Sequence, residues 1–219
     1  MTVITVRMPA TTSLDRFRTV AGAVETSILI TASKFIARLS PASGIDDHEA
    51  ALKTARSRFP DASHHCWAYR LGRPDVLIER SSDAGEPNGT AGRPILDALR
   101  SAQLENVSCI VTRYFGGTKL GTGGLVRAYG DAARAAIAEA SIVERTIVRE
   151  ISLSFEHSAT GAVYRVLEEL GLHLRPGQYD ERAHGTVLVP LSLLRTLIDR
   201  LEASARGMHK IITGKLELI

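Results

Sequence analysis

An eighteen-residue stretch, RYFGGTKLGTGGLVRAYG, runs from Arg113 to Gly130. It gathers six glycines and the cations Arg113, Lys119 and Arg127 without a single Asp or Glu. Glycine loses more backbone freedom on folding than any other residue, so a cluster of it marks a chain that must turn sharply or approach something closely. The stretch follows VSCIVTR, a continuous apolar run of the kind buried on both faces of a sheet. It leads into LVRAYGDAARAAIAEA, whose Leu125, Tyr129, Ala132 and Ala136 fall on one helical face. A turn from strand to helix is where backbone N–H groups and the positive helix end favour anions.

Two readings stay open for it. One is a tight turn with glycines at positive φ. The other is an anion- or RNA-contacting surface made of Arg113, Gly116, Gly117, Lys119, Gly121, Gly123, Gly124 and Arg127, with Arg93 in support from a neighbouring loop. The standard nucleotide fingerprints fail. From Gly116 the phosphate-loop spacing reaches Gly121, but Thr122 stands where Lys is needed. From Gly121 and Gly123 the dinucleotide spacing ends on Val126 rather than glycine.

Around this segment the pattern predicts strands at about 22–30 and 33–40. A helix follows in which Asp46 and Glu49 resemble a capping box, Leu52, Ala55 and Phe59 share a face, and Pro60 is the stop. SHHCWAYRLG and DVLIERSS read as paired strands about a GRPD turn. After the loop SDAGEPNGTAGRP, Pro94 suits a helix start, with Ile95, Ala98, Leu99 and Ala102 as its stripe. The tail has its own rhythm. It reads as a strand at 146–155, a helix at 159–170, strands at 172–179 and 184–189, a helix at 191–204 and the closing strand HKIITGKLELI. That βαββαβ order is the ferredoxin-like pattern. The expected organisation is an N-terminal arm over 1–20, flexible or an extra edge strand, a first domain over 21–142 and a ferredoxin-like domain over 143–219.

Charge and composition exclude several classes. No window approaches the apolar length of a membrane span, and MTVITVRMPATTSLDRFRTV lacks the layout of a secretory signal. Cys66 and Cys109 form no disulfide framework, so a reduced, cytoplasmic protein without membrane attachment is expected. The formal net charge of +3 is mild, and all of the surplus lies before residue 144.

Acid–base chemistry has weak candidates in Glu86, Asp83 and His64. Two carboxylates three residues apart in a Gly/Pro loop can act as acid and base, or form a solvated turn. His64 and Cys66 share a strand face, but no second ligand pair stands at metal spacing, so neither a metal nor a cofactor is expected. Trp67 and Tyr69 share the other face with His65, which is expected to pack rather than stack on bases. Cys109, within the apolar strand, is expected to be inert core.

Four stretches together resemble the IMPACT family in its bacterial YigZ-like branch. They are SKFIA (33–37), HHCWAYRLG (64–72), GEPNGTAGRPIL (85–96) and VTRYFGGTKLGTGGLVRAYGDA (111–132). The family commonly reads Asp-Asp-Gly-Glu-Pro-Ser-Gly-Thr-Ala in the third. Here Ala84 and Asn88 replace the second acid and the serine, which weakens a two-carboxylate scheme. The resemblance implies an α+β protein, with a ribosomal protein S5 domain 2-like α/β domain followed by a ferredoxin-like domain similar to the last domain of elongation factor G. It directs expectation to translation: a non-enzymatic regulator binding RNA, the ribosome or a protein of the translation machinery, as a monomer or small homo-oligomer. The alternative is an enzyme acting on a small phosphorylated or nucleotide-like substrate in a cleft between the two glycine-rich loops.

Overall fold

The computed structural model describes residues 15–73, 76–179, 181–204 and 209–218. It is α+β and divides into two compact units. The first holds Phe17–Glu144, and Arg145 begins the second, which Asp15 and Arg16 also join. Of the expected N-terminal arm, residues 1–14 lie outside the described residues, and Arg16–Val20 is a strand, β1. The Pro74–Asp75 turn also lies outside them.

In the first unit, β2 (Val24–Ile30), β3 (Ser33–Pro41), β4 (His64–Arg73), β5 (Val76–Ser82) and β6 (Val107–Tyr114) form one antiparallel sheet in the order β2-β3-β6-β4-β5. Helices α2 (Gly92–Ser101) and α3 (Gly121–Glu139) pack together on one face, and α1 (Ile45–Arg58) lies against β4 and β6 on the other. This is why β6 carries no polar alternation. Helices cover both of its faces, and its residues Val107–Arg113 are all buried. Between the sheet and α2/α3 sits the main core, with Phe35, Leu39, Ile95, Leu99, Val111 and Tyr129 at 0% exposure.

The opposite face is smaller and more polar. His48 of α1 is buried, with Nδ1 2.7 Å from Ser108 Oγ and its ring 4.5 Å from Trp67 and 4.8 Å from Tyr69, centroid to centroid. Burial pushes its pKa down to about 4, so it is a neutral core residue near pH 7. Trp67 and Tyr69 are stacked on each other here. The expected Asp46/Glu49 box does not form. Gly44 is the N-cap without a side-chain bond, and Asp47 instead accepts from the Ser43 N–H and hydroxyl at 2.8 and 2.6 Å.

The second unit contains β7 (Ile142–Phe155, shared with the first unit across the boundary), α4 (Thr160–Glu169), β8 (Leu174–Tyr179), β9 (Ala183–Pro190), α5 (Leu191–Ser204) and β10 (His209–Leu218). The order β10-β7-β9-β8, all antiparallel, is that of a ferredoxin-like βαββαβ unit. Its core of Ile151, Phe155, Leu167, Val187, Leu197 and Leu201 lies on one face of the sheet, and β9 accordingly alternates buried and half-buried residues. Asp15 accepts from the N–H and hydroxyl of Ser192 in the first turn of α5.

Candidate functional site

The four family-like stretches meet in the first unit. The loop between β5 and α2 closes on its own acid. Asp83 Oδ1 accepts from the N–H groups of Ala91 and Gly92, and Oδ2 from that of Gly89, each at 2.9 Å. Those donors include the otherwise orphaned N–H groups at the start of α2. Only glycine fits at position 92, since a Cβ there would stand 2.7 Å from the Ser82 nitrogen. An Asp with both oxygens committed to backbone is a structural brace, which removes Asp83 from the acid–base candidates.

Glu86 turns inward from the same loop. Its Oε1 accepts from Arg113 Nη1 at 2.6 Å and from the Tyr129 hydroxyl at 2.8 Å. The side chains of Arg113 and Glu86 are 6% and 4% exposed. Arg113 Nη2 donates to Ser33 Oγ at 3.3 Å, and that hydroxyl also accepts the Gly116 N–H at 3.2 Å. The guanidinium lies over the rings of Phe35 and Phe115, 5.4 Å from each centroid. Its Nε is buried without a hydrogen-bond partner. One ion pair thus ties together the start of β3, the end of β6, the loop before α2 and the body of α3.

Arg113 therefore does not stand on the surface with Lys119 and Arg127, as the sequence suggested. A buried charge must be paired, and Glu86 pairs it.

His64 and Cys66, at the start of β4, line the same cluster. His64 Nδ1 is 3.0 Å from the Ala84 carbonyl oxygen, which only accepts, so Nδ1 carries the proton. Nε2 faces Glu86 Oε1 at 3.9 Å. Cys66 donates its thiol to the Asp83 carbonyl at 2.9 Å, and burial pushes that thiol up to about 12. Cys109, fully buried, is pushed up to about 12 by the same cause. Burial also raises the Tyr129 hydroxyl well above its ordinary value, so it remains a neutral donor to Glu86. Among the described residues, no group of three His, Cys, Asp or Glu side chains converges to hold a metal.

The glycine segment divides into three parts. Arg113 and Tyr114 end β6, Phe115–Leu120 form the loop, and α3 begins at Gly121, four residues before the expected start. Gly123 and Gly124 are thus helical, despite glycine's poor propensity, because Leu125 and Tyr129 of the same helix are buried in the core. Gly116 makes the close approach: a Cβ there would stand 2.1 Å from the carbonyl carbon of Ala32. Gly117 and Gly121 have φ of +85° and +70°. Lys119 and Arg127 are exposed, and among the described residues neither has an ion-pair partner. The Arg127 guanidinium lies back along its own helix beside Gly123. Arg93, 77% exposed, sits 3.7 Å from Asp97.

The sequence reading passed over three members of the cluster: Ser33, Tyr129 as a polar group, and Phe115. The signal for Phe115 was an aromatic residue inside a basic, glycine-rich loop.

An α+β protein with a ferredoxin-like second unit, whose first unit is held by a buried Glu–Arg–Tyr lock between two glycine-rich loops, has known counterparts. The Impact N-terminal domain profile matches residues 31–137. The IMPACT family member YvyE of Bacillus subtilis is 36% identical over 207 residues, which is 94% of this chain and 91% of that protein. YigZ of Escherichia coli is 40% identical over 131 residues, covering 59% of this chain and 64% of its own length. The crystal structure of a hypothetical protein matches with a TM-score of 0.64 at 29% identity, over 90% of this chain and 97% of the other. The chain belongs to the IMPACT family.

Proposed function

We propose that this protein is a non-enzymatic, translation-associated regulator of the cytoplasm that binds RNA, free or in the ribosome, through the surface around the glycine loop. The observation that carries the reading is the outward placement of Lys119 and Arg127 at the acid-free start of the 19-residue helix α3. Cations there add to the positive helix end, and phosphate is the anion that such a surface suits. Arg93 extends it from the first turn of α2, which also contains no acid. The acids offered for catalysis are occupied: Asp83 by three backbone N–H groups, Glu86 by Arg113 and Tyr129.

The test is binding to a short labelled RNA and to ribosomal subunits across a salt series, with Lys119→Ala/Arg127→Ala beside the parent protein. Loss of two phosphate contacts is expected to flatten the salt slope by roughly 1.4 for a single strand. Equal affinity and slope in both proteins reject the reading.

One observation favours the enzymatic alternative. The His64 side chain is 25% exposed and its Nε2 faces Glu86 Oε1 at 3.9 Å, so an imidazole and a carboxylate stand together at the edge of the cluster. A thermal-shift screen of nucleotides and sugar phosphates tests it, because a ligand at 100 times its Kd adds about 2.7 kcal/mol.

A further inference from the structure

Phe115 combines an exposed ring with a tethered backbone. The residue is 48% exposed, whereas Phe35, Phe155 and Tyr129 are at 1% or less. Yet its backbone N–H donates to Ser63 Oγ at 3.1 Å, and its ring has the Arg113 guanidinium over it at 5.4 Å. That guanidinium is itself fixed by Glu86 and Ser33, and the next residue, Gly116, is wedged against Ala32. The result is an aromatic ring presented to solvent against a guanidinium that Glu86 and Ser33 hold in place. Lys119 follows four residues along the same loop, within about 15 Å by chain length alone.

Building on the RNA-binding reading, we propose that Phe115 is a stacking platform for an unpaired base, so that the preferred partner of this surface is single-stranded rather than duplex RNA. Lys119 and Arg127 take neighbouring phosphates. Charge decides the occupant, since the segment from Arg113 to Gly130 contains no acid. A ring already placed loses little freedom on binding, and every base has a π-face to offer it. In a duplex those faces are buried in the stack, and shape and phosphate contacts remain.

The experiment uses the full chain and two probes at matched salt, a labelled twelve-nucleotide oligouridine and a duplex RNA. Phe115→Ala is expected to weaken oligouridine binding about tenfold while duplex affinity and the salt slope stay put. Phe115→Trp is expected to retain the affinity, with the new indole quenched as oligouridine saturates. Phe115→Leu, apolar but without a π-face, is expected to behave like alanine, and thermal unfolding of each variant confirms its fold. If Phe115→Ala binds oligouridine as the parent does while Lys119→Ala/Arg127→Ala does not, the platform is wrong and the RNA reading stands. Equal losses on both probes also overturn the platform. If the parent binds neither probe at low salt, both proposals fall.

Discussion

The first unit carries two glycine-rich loops of opposite character. The loop before α2 turns its acids inward, Asp83 onto three N–H groups and Glu86 onto Arg113 and Tyr129. The loop before α3 leaves Lys119 exposed, with Arg127 exposed on the helix that follows. In sequence both look like charged surface loops. The difference is that a short carboxylate can be saturated by backbone donors within its own loop, whereas a long cationic side chain needs a carboxylate aimed at it. Of the three cations Arg113, Lys119 and Arg127, only Arg113 has one among the described residues. The inward loop is thus a brace, and the outward one is the part left to meet a partner.

Glu86 carries most of the difference between the two loops. Glu86→Gln leaves Arg113 buried without a counter-charge and is expected to destabilise the first unit by roughly 3–5 kcal/mol, with Glu86→Gln/Arg113→Met recovering much of the loss. Urea unfolding followed by the fluorescence of Trp67, the single tryptophan, reads this directly. A parental midpoint for Glu86→Gln would mean that the inward loop is not held by its acid.

A smaller effect, roughly 1–3 kcal/mol, is expected for Asp83→Asn, which weakens the acceptor of three N–H groups. Its sharper signature is chemical. Cys66 lies under this loop with its thiol pushed up to about 12, so it should resist a thiol reagent at pH 8 in the parent protein and react faster in the variant. Unchanged reactivity would show the loop closed without Asp83. Lys119→Ala/Arg127→Ala sits at the other end of the scale. Both side chains are exposed and unpaired among the described residues, so stability should move by no more than about 0.5 kcal/mol. A larger shift would make the outward loop a brace as well.

Much of the fold was legible locally. The apolar run 107–112 announces a strand covered on both faces, and the spacing of Ile95, Ala98 and Leu99 gives α2 its buried side. The alternation along β9 suits a sheet with one covered face. The site was less legible because its bonds are non-local. Arg113 meets Glu86 across 27 residues and Ser33 across 80, and nothing in the neighbourhood of either end shows which cation will be swallowed. His48 was hidden for the same reason. Its partners Trp67, Tyr69 and Ser108 come from two other strands, so a polar residue near the start of an amphipathic helix turned out to be core.

The strand order β2-β3-β6-β4-β5 also sets a timetable. β2–β3 and β4–β5 are hairpins of neighbouring strands that can zip early, but neither touches the other in the sheet until β6 arrives between them. Closing that gap brings together partners as distant as Ser33 and Arg113, which is the slow kind of step in folding. Val111→Ala, in β6, should therefore retard refolding by most of its stability loss. Ile28→Ala, on the edge strand β2, should chiefly hasten unfolding. Stopped-flow refolding and unfolding of the two variants separates these limbs, and equal behaviour would mean that the sheet does not wait for its centre.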